Sequence, residues 1–251
     1  MQIIQDLIQG LADHKILDVR IGLHWTAVVV EKNGSLKCGL SSTLVAPHDH
    51  ETNGPDVPLA GKLAVLSGLE LAEFALHEKR TLRSVGMAAI NALLPSYPEK
   101  WVDDNAEEMI ARHGVGKKVV LIGHFPFIPS LRERVGELTI LELNPKPGDV
   151  HADQAEKIIP QAQVLAITSM TFPNHTLEKI IPLCAPGTLV IMLGPTTPLT
   201  PRMFDFGIDI ISGSVVEDIP VVLNMVSQGA SFRQIHKNGV RLVNMARPGI
   251  S

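Results

Sequence analysis

The sequence predicts an α/β protein in which an α+β half precedes a Rossmann-like half built on a parallel sheet. The second half contains five short apolar runs bounded by Gly, Pro, Asn or Thr, at 117–123, 138–143, 163–168, 188–193 and 208–212. Uninterrupted runs of this length are typical of strands covered on both faces. Most are separated by segments long enough for a crossover helix, which favours parallel, doubly wound pairing. The first half combines a hairpin signal with helical stretches, an α+β pattern.

The first half is predicted element by element. Apolar residues recur at helical spacing in the first fifteen residues, which indicates an amphipathic helix. A strand over 21–30 follows, with one apolar face and with Thr26 on the other face. Asn33-Gly34 is a strong hairpin signal and leads into a return strand over 36–44. Two helices are then expected, over 59–76 and 81–94.

Pro95, Pro98 and Trp101 mark the change of pattern between the halves. We therefore expect two domains, 1–100 and 101–251. Asp103 or Asp104 is predicted to cap a short helix that ends at Gly114.

Composition excludes several classes of protein. The 251 residues are 45% hydrophobic and 19% charged, with a net charge of −4, which disfavours a disordered chain or a general nucleic-acid binder. Two cysteines cannot form a disulfide framework or a four-thiolate zinc site. No apolar run approaches the roughly 18 residues of a membrane span, and the N-terminus lacks a signal-peptide pattern. We expect a cytoplasmic protein without membrane contact, and a homodimer on general grounds.

In a doubly wound sheet, ligands bind beyond the carboxyl ends of the strands, so the loops after the five runs are the candidate sites. Gly123 and His124 follow the first run. Because that loop has a single glycine and Pro126 removes a backbone donor, an intact dinucleotide site is disfavoured. His124 is a candidate acid or base, with a tight structural turn as the alternative. Glu142, nineteen positions after Gly123, is suitably placed for a ribose hydroxyl or is a solvated strand end.

The later loops carry hydroxyl, amide and glycine groups that suit a polar ligand: Thr168, Ser169, Asn174 and Thr176; then Gly194 and Thr196; then Gly213 and Ser214. The alternative use for the first group is helix capping by Thr171 or Asn174. Glu217 is a third candidate for acid or base catalysis. Its alternative is a solvated carboxylate beside Asp218 as a helix cap.

The densest cluster of potential metal ligands is His48-Asp49-His50-Glu51. It lies among turn formers and has no third ligand at helical spacing, so an exposed loop is the favoured interpretation and no metal site is predicted.

Several motifs together resemble one family. The segment 84–92, with Gly86, Ala88, Ala89, Asn91 and Ala92, is similar to the GxAAxNA helix of the putative heavy-metal chelation family. Gly123-His124-Phe125-Pro126, Thr168-Ser169 with Asn174-His175-Thr176, Gly194-Pro195-Thr196 and Gly213-Ser214 also fit it. The resemblance implies an enolase N-terminal-like domain, a Rossmann-like domain, and a cleft between them.

The resemblance also implies a role in handling a metal chelator or a related small molecule, and it identifies no cofactor. Asn91, His124, Thr168, Asn174 and Thr196 become expected cleft residues. A buried amide such as Asn91 must either bond neighbouring backbone or face a ligand, and the resemblance favours the ligand.

Three functional hypotheses follow. The first is binding of a pterin-, flavin- or siderophore-like chelator or precursor, with condensation or hydrolysis catalysed by His124, Glu142 or Glu217. The second is a non-catalytic carrier or sensor of a metal complex. The third is an S-adenosylmethionine-dependent methyltransferase-like enzyme.

Overall fold

The computed structural model describes residues 1–45 and 55–250. The first part of the chain forms α1 (Gln2–Gln9), β1 (Lys15–Ile21), β2 (Trp25–Lys32), β3 (Ser35–Ser42), α2 (Gly68–Glu73) and α3 (Arg80–Leu93). In the described residues the three strands make an antiparallel sheet in the order β1-β2-β3.

The second part forms a mostly parallel sheet. Its elements are α4 (Ala106–Gly114), β4 (Lys118–Ile122), α5 (Ile128–Arg132), β5 (Glu137–Glu142), β6 (Val150–His151), α6 (Ala155–Ile158), β7 (Val164–Thr168), α7 (Leu177–Ile180), β8 (Leu189–Leu193), β9 (Ile210–Val216), α8 (Ile219–Ser227), α9 (Phe232–His236) and β10 (Val240–Ala246). The described strands run in the order β10-β9-β8-β7-β4-β5-β6, and only β10 is antiparallel to its neighbour. The predicted α/β class is confirmed, whereas the domain boundary near residue 100 stays a prediction.

The hairpin between β2 and β3 forms at the predicted turn. Lys32 pairs with Ser35, and the two residues between them, Asn33 and Gly34, have φ of 51° and 75°. Positive φ at both positions is what a two-residue hairpin turn requires, and the Asn-Gly pair supplies it.

The predicted strand over 21–30 is wrong at its start, since Ile21 ends the separate strand β1, which was not predicted. The strand β2 begins at Trp25, and both of its faces are covered, because Thr26 on the face opposite Ala27 is also fully buried. The physical reason is that β2 is the central strand: one face packs on the core that includes α3, and the other face, through Ala27, packs on Val222 and Val226 of α8.

Helix α3 lies close to its neighbours because of its small residues. A Cβ added at Gly86 would lie 1.9 Å from the backbone nitrogen of Ala75. On the sheet side, a Cβ at Gly39 of β3 would lie 2.1 Å from the Ala88 carbonyl oxygen. The predicted helix over 59–76 is wrong, since that stretch contains the short α2 flanked by 3₁₀ turns.

The five predicted strands of the second half are confirmed, and β6 and β10 were missed. The crossover helices α6 and α7 are short because Pro160 and Pro182 follow them. After each helix the backbone continues as a 3₁₀ turn. Helix α4 ends at Gly114 as predicted, but its cap is Asn105, whose Oδ1 accepts from the Glu108 amide at 2.9 Å. No helix in the described ranges is long and apolar enough to cross a membrane.

Candidate functional site

A cleft of about 1310 Å³ lies at the carboxyl edge of the parallel strands. The strand order reverses between β4 and β7, and the residues at this reversal, Gly123 and Thr168, line the cleft. Trp25 and Ser42, from the antiparallel sheet, line it as well. The cleft is thus built from both parts of the chain, at the position where doubly wound folds bind ligands.

The cleft brings together most of the residues that the sequence analysis singled out. The following residues line it: Gly123, His124, Glu142, Thr168, Ser169, Asn174, Thr176, Gly194 and Gly213. Asn91, Thr196, Ser214 and Glu217 are not among its lining residues.

Asn91 and Thr196 instead join the two sheets. The Asn91 side-chain amide donates to the carbonyl oxygens of Leu40 and Thr196, at 2.9 and 3.1 Å. The Thr196 hydroxyl is fully buried and accepts from the Ser42 amide at 2.9 Å. Of the two uses weighed for Asn91, backbone bonding is therefore the one present in this structure.

Ser214 and Glu217 also have local structural surroundings. The Ser214 hydroxyl lies 3.5 Å from the Pro195 carbonyl oxygen. Glu217 is largely exposed and lies 3.9 Å from Arg241. Asp218 caps α8 by accepting from the Val221 amide at 3.1 Å, so the alternative interpretation of the 217–218 pair matches the structure.

His124 is held by a carboxylate. Its Nδ1 lies 3.2 Å from Oδ2 of Asp149, which also accepts from the Lys146 amide at 2.9 Å. The Asp149 side chain is 5% exposed and that of His124 is 30% exposed. An imidazole oriented by a buried carboxylate is suited to general acid or base catalysis. Asp149 was missed, because only its turn, Pro147-Gly148-Asp149, is visible in the sequence.

Two hydroxyl groups of the loop after β7 form hydrogen bonds to the backbone of the loop itself. The Thr168 hydroxyl accepts from the Met170 amide at 3.3 Å, and the Thr171 hydroxyl donates to the Thr168 carbonyl at 2.8 Å. Of the two uses weighed for this loop, capping of the next helix by Thr171 or Asn174 is not the one present, since α7 has no side-chain cap. The buried Asn174 Oδ1 has no hydrogen-bond partner within residues 1–45 and 55–250.

The apolar walls of the cleft were not predicted. Phe125 and Phe127 stack with ring centroids 5.1 Å apart at one side. At the other side Trp25 and Phe232 are 5.7 Å apart. All four aromatic residues line the cleft, so its surface suits a flat organic molecule.

The described residues do not form a site for a bare metal ion. Over 1–45 and 55–250, no group of three or more His, Cys, Asp and Glu side chains is placed to hold one. Burial raises the pKa of Cys38 to about 12 and that of Cys184 to about 11, which keeps both thiols protonated and makes them poor metal ligands. The His48–Glu51 cluster lies outside the described residues.

His175 connects the same loop to the first part of the chain. It has a φ of 61°, and its Nε2 lies 2.8 Å from the Ala75 carbonyl oxygen. Burial, the largest cause, lowers its pKa below the usual 6.5. The folded protein therefore binds fewer protons here than the unfolded chain does as the pH falls below 6.5.

We expect the folded state to lose stability as the pH falls from about 6.5 towards 5, since unfolding is then coupled to protonation of His175. The variant His175→Asn, which tolerates positive φ, should show a flatter dependence of Tm on pH. His24→Asn, at an exposed position, is the control and should follow the wild type. Equal slopes in His175→Asn and the wild type would contradict the assignment.

The comparisons with known proteins agree with this architecture. Two family models described as putative heavy-metal chelation match residues 4–94 and 105–245. An uncharacterized protein of Methanocaldococcus jannaschii is 26% identical over 235 residues, covering 87% of this chain and 88% of that protein.

Two crystal structures of DUF364-family proteins of unknown function are similar over 98% of each chain. The one from Desulfitobacterium hafniense DCB-2 has a TM-score of 0.82 at 25% identity. The one from Pyrococcus horikoshii has a TM-score of 0.80 at 21% identity, which supports the fold alone. Because the two family models together account for most of its length, the chain belongs to the putative heavy-metal chelation family.

Proposed function

We propose that the cleft binds a small organic chelator, or its metal complex, and not a bare metal ion. The supporting observation is a large cleft with aromatic walls and scattered polar groups, in a structure whose described residues offer no three-ligand metal cluster. The description of the family as heavy-metal chelation proteins is compatible with such a site, because a bound organic molecule can itself supply the metal ligands. Pterin-, flavin- and siderophore-like molecules and their precursors are the proposed ligand classes.

We further propose His124 as the acid or base of a condensation or hydrolysis of that molecule. Its pairing with Asp149 supports this role, because a carboxylate bonded to one ring nitrogen fixes the orientation of the imidazole. Glu142 lines the same cleft and remains the second candidate. Glu217 is not retained, since it does not line the cleft. A carrier with the same cleft would bind its ligand without turnover.

Calorimetric titration tests the ligand class. The probes are riboflavin, biopterin, the ferric complex of 2,3-dihydroxybenzoate, S-adenosylmethionine, and the free ions Zn²⁺ and Ni²⁺. We expect stoichiometric binding of at least one of the first three probes and none of the free ions. One-to-one binding of Zn²⁺ or Ni²⁺ with no response to those organic probes would overturn the proposal, and binding of S-adenosylmethionine alone would support the methyltransferase alternative.

A bulky substitution in the wall tests the place of binding. Met170→Trp puts an indole into the cleft lining, so the affinity for any organic probe should fall about tenfold or more, a loss of about 1.4 kcal/mol. Val65→Trp adds the same side chain at a position that is 80% exposed and outside the cleft. This control should leave the affinity unchanged, and equal affinities in the two variants would place the binding elsewhere.

A further inference from the structure

The two ends of the cleft differ in chemistry. In the sheet order, β5 lies near one edge and β10 at the other. The β5 end carries carboxylates, from Glu142, Asp153 and Glu156. The β10 end carries Trp25, Phe232, Ser212 and Asn244, and we call these four residues the aromatic end of the cleft.

Hydrogen bonds connect the parts of this aromatic end. Trp25 of β2 pairs with Ser42 of β3, whose amide donates to Thr196. Two residues before Thr196, the Gly194 amide donates to the Ser212 carbonyl oxygen, and Ser212 of β9 pairs with Asn244 of β10. The aromatic end is therefore formed jointly by the antiparallel sheet and by the last strands of the parallel sheet.

Two buried side chains at this end each have an N–H group with no partner among the residues that the structure describes. Trp25 is 9% exposed, and its Nε1 has no acceptor within the described ranges 1–45 and 55–250. Asn244 is 2% exposed. Its Oδ1 accepts from the Ser212 hydroxyl, but its Nδ2 has no partner among the described residues. Leaving a buried N–H unpaired costs about 1–3 kcal/mol, so a ligand with acceptor atoms is favoured at this end.

The surrounding charge selects the kind of acceptor. Arg233 follows Phe232 and also lines the cleft. Asp104 and Glu107, two carboxylates that line the cleft, are paired with Arg112 at 3.0 Å and with Arg134 at 3.6 Å, so their charges are compensated. An anionic acceptor is thus better accommodated than a cationic group.

We propose, on the basis of the proposed function, that the aromatic end is a subsite for a planar ring bearing a carboxylate or another negatively charged oxygen. The ring lies against Trp25 and Phe232, and its oxygens accept from Trp25 Nε1 and Asn244 Nδ2. Neither nitrogen is exposed to water in this structure, so binding requires adjustment of the wall. Helix α9, which carries Phe232, is five residues long and has only Ile235 buried, so moving it breaks few packing contacts.

The test compares two planar probes of similar size and opposite chemistry. 2,3-Dihydroxybenzoate presents negatively charged oxygen acceptors, whereas benzamidine is a cation that presents only donors. Because Trp25 and Trp101 are the two tryptophans of the chain, the variant Trp101→Phe reports on Trp25 alone by fluorescence. We expect a saturable change with 2,3-dihydroxybenzoate and none with benzamidine; an equal response to both, or no response to either, overturns the subsite.

Two variants test the donors by calorimetry. Trp25→Phe keeps an aromatic ring and removes the N–H, and Asn244→Leu removes the amide at similar volume. Each should bind 2,3-dihydroxybenzoate about fivefold more weakly than the wild type, the effect of one lost hydrogen bond. A circular dichroism spectrum and a two-state melt establish that each variant is folded.

The results separate this inference from the proposed function. Unchanged affinity in both donor variants, together with a loss in Met170→Trp, refutes the subsite and leaves binding in the cleft intact. Unchanged affinity in all three variants refutes both.

Discussion

Gly86→Ala is expected to destabilise the protein by about 3 kcal/mol, although the same change stabilises most helices. An alanine in a helix interior is favoured over glycine by about 1 kcal/mol. Here the added Cβ would lie 1.9 Å from the Ala75 backbone nitrogen, a contact that only movement of the backbone can relieve, and overpacking of this kind typically costs about 1–3 kcal/mol or more.

Chemical denaturation measures this effect. Gly10→Ala is the matched control, because its Cβ would meet the terminal guanidinium of Arg202, which can move aside on the surface. Its effect should stay within about 0.5 kcal/mol. An increase in the free energy of unfolding of Gly86→Ala would show that α3 does not pack as closely as described.

Thr196→Val is expected to lower stability by about 1–3 kcal/mol without changing the intrinsic affinity of the folded protein for a cleft ligand. The substitution is close to isosteric, but it leaves the Ser42 amide without the acceptor it has at 2.9 Å. Because Thr196 is fully buried and does not line the cleft, its contribution is to the junction between the two sheets.

Thr176→Val is the contrasting variant, since Thr176 lines the cleft and makes no side-chain hydrogen bond as the cap of α7. Its melting temperature should stay near that of the wild type, whereas its affinity for a probe that binds in the cleft should change. If Thr196→Val is as stable as the wild type but weakens binding, Thr196 belongs to the ligand site, as the resemblance implied.

Much of the chain follows from local sequence pattern. The turn at Asn33-Gly34 needs two residues that accept positive φ, and the five parallel strands need short apolar runs because both of their faces are covered. Small residues on α3 predict its close approach to a neighbour. Each of these features depends on residues near one another in sequence, so the pattern alone determines it.

The sequence predicted the position of the candidate site but not the orientation of all its side chains. The rule that ligands bind beyond the carboxyl ends of parallel strands located His124, Glu142 and Thr168 in one cleft. The rule does not say which way a side chain points. Asn91 and Thr196 were expected to face a ligand, but the structure turns them towards the backbone of the facing sheet.

The sequence by itself determined the α/β class, five of the strands of the mostly parallel sheet and the edge at which its loops gather. Only the tertiary structure decided that Asp149 holds His124, and that Trp25 and Asn244 form one end of the cleft. These residues come from elements far apart in the chain. Their proximity results from packing one sheet against the other, and the burial of each polar group is then set by neighbours that no local pattern specifies.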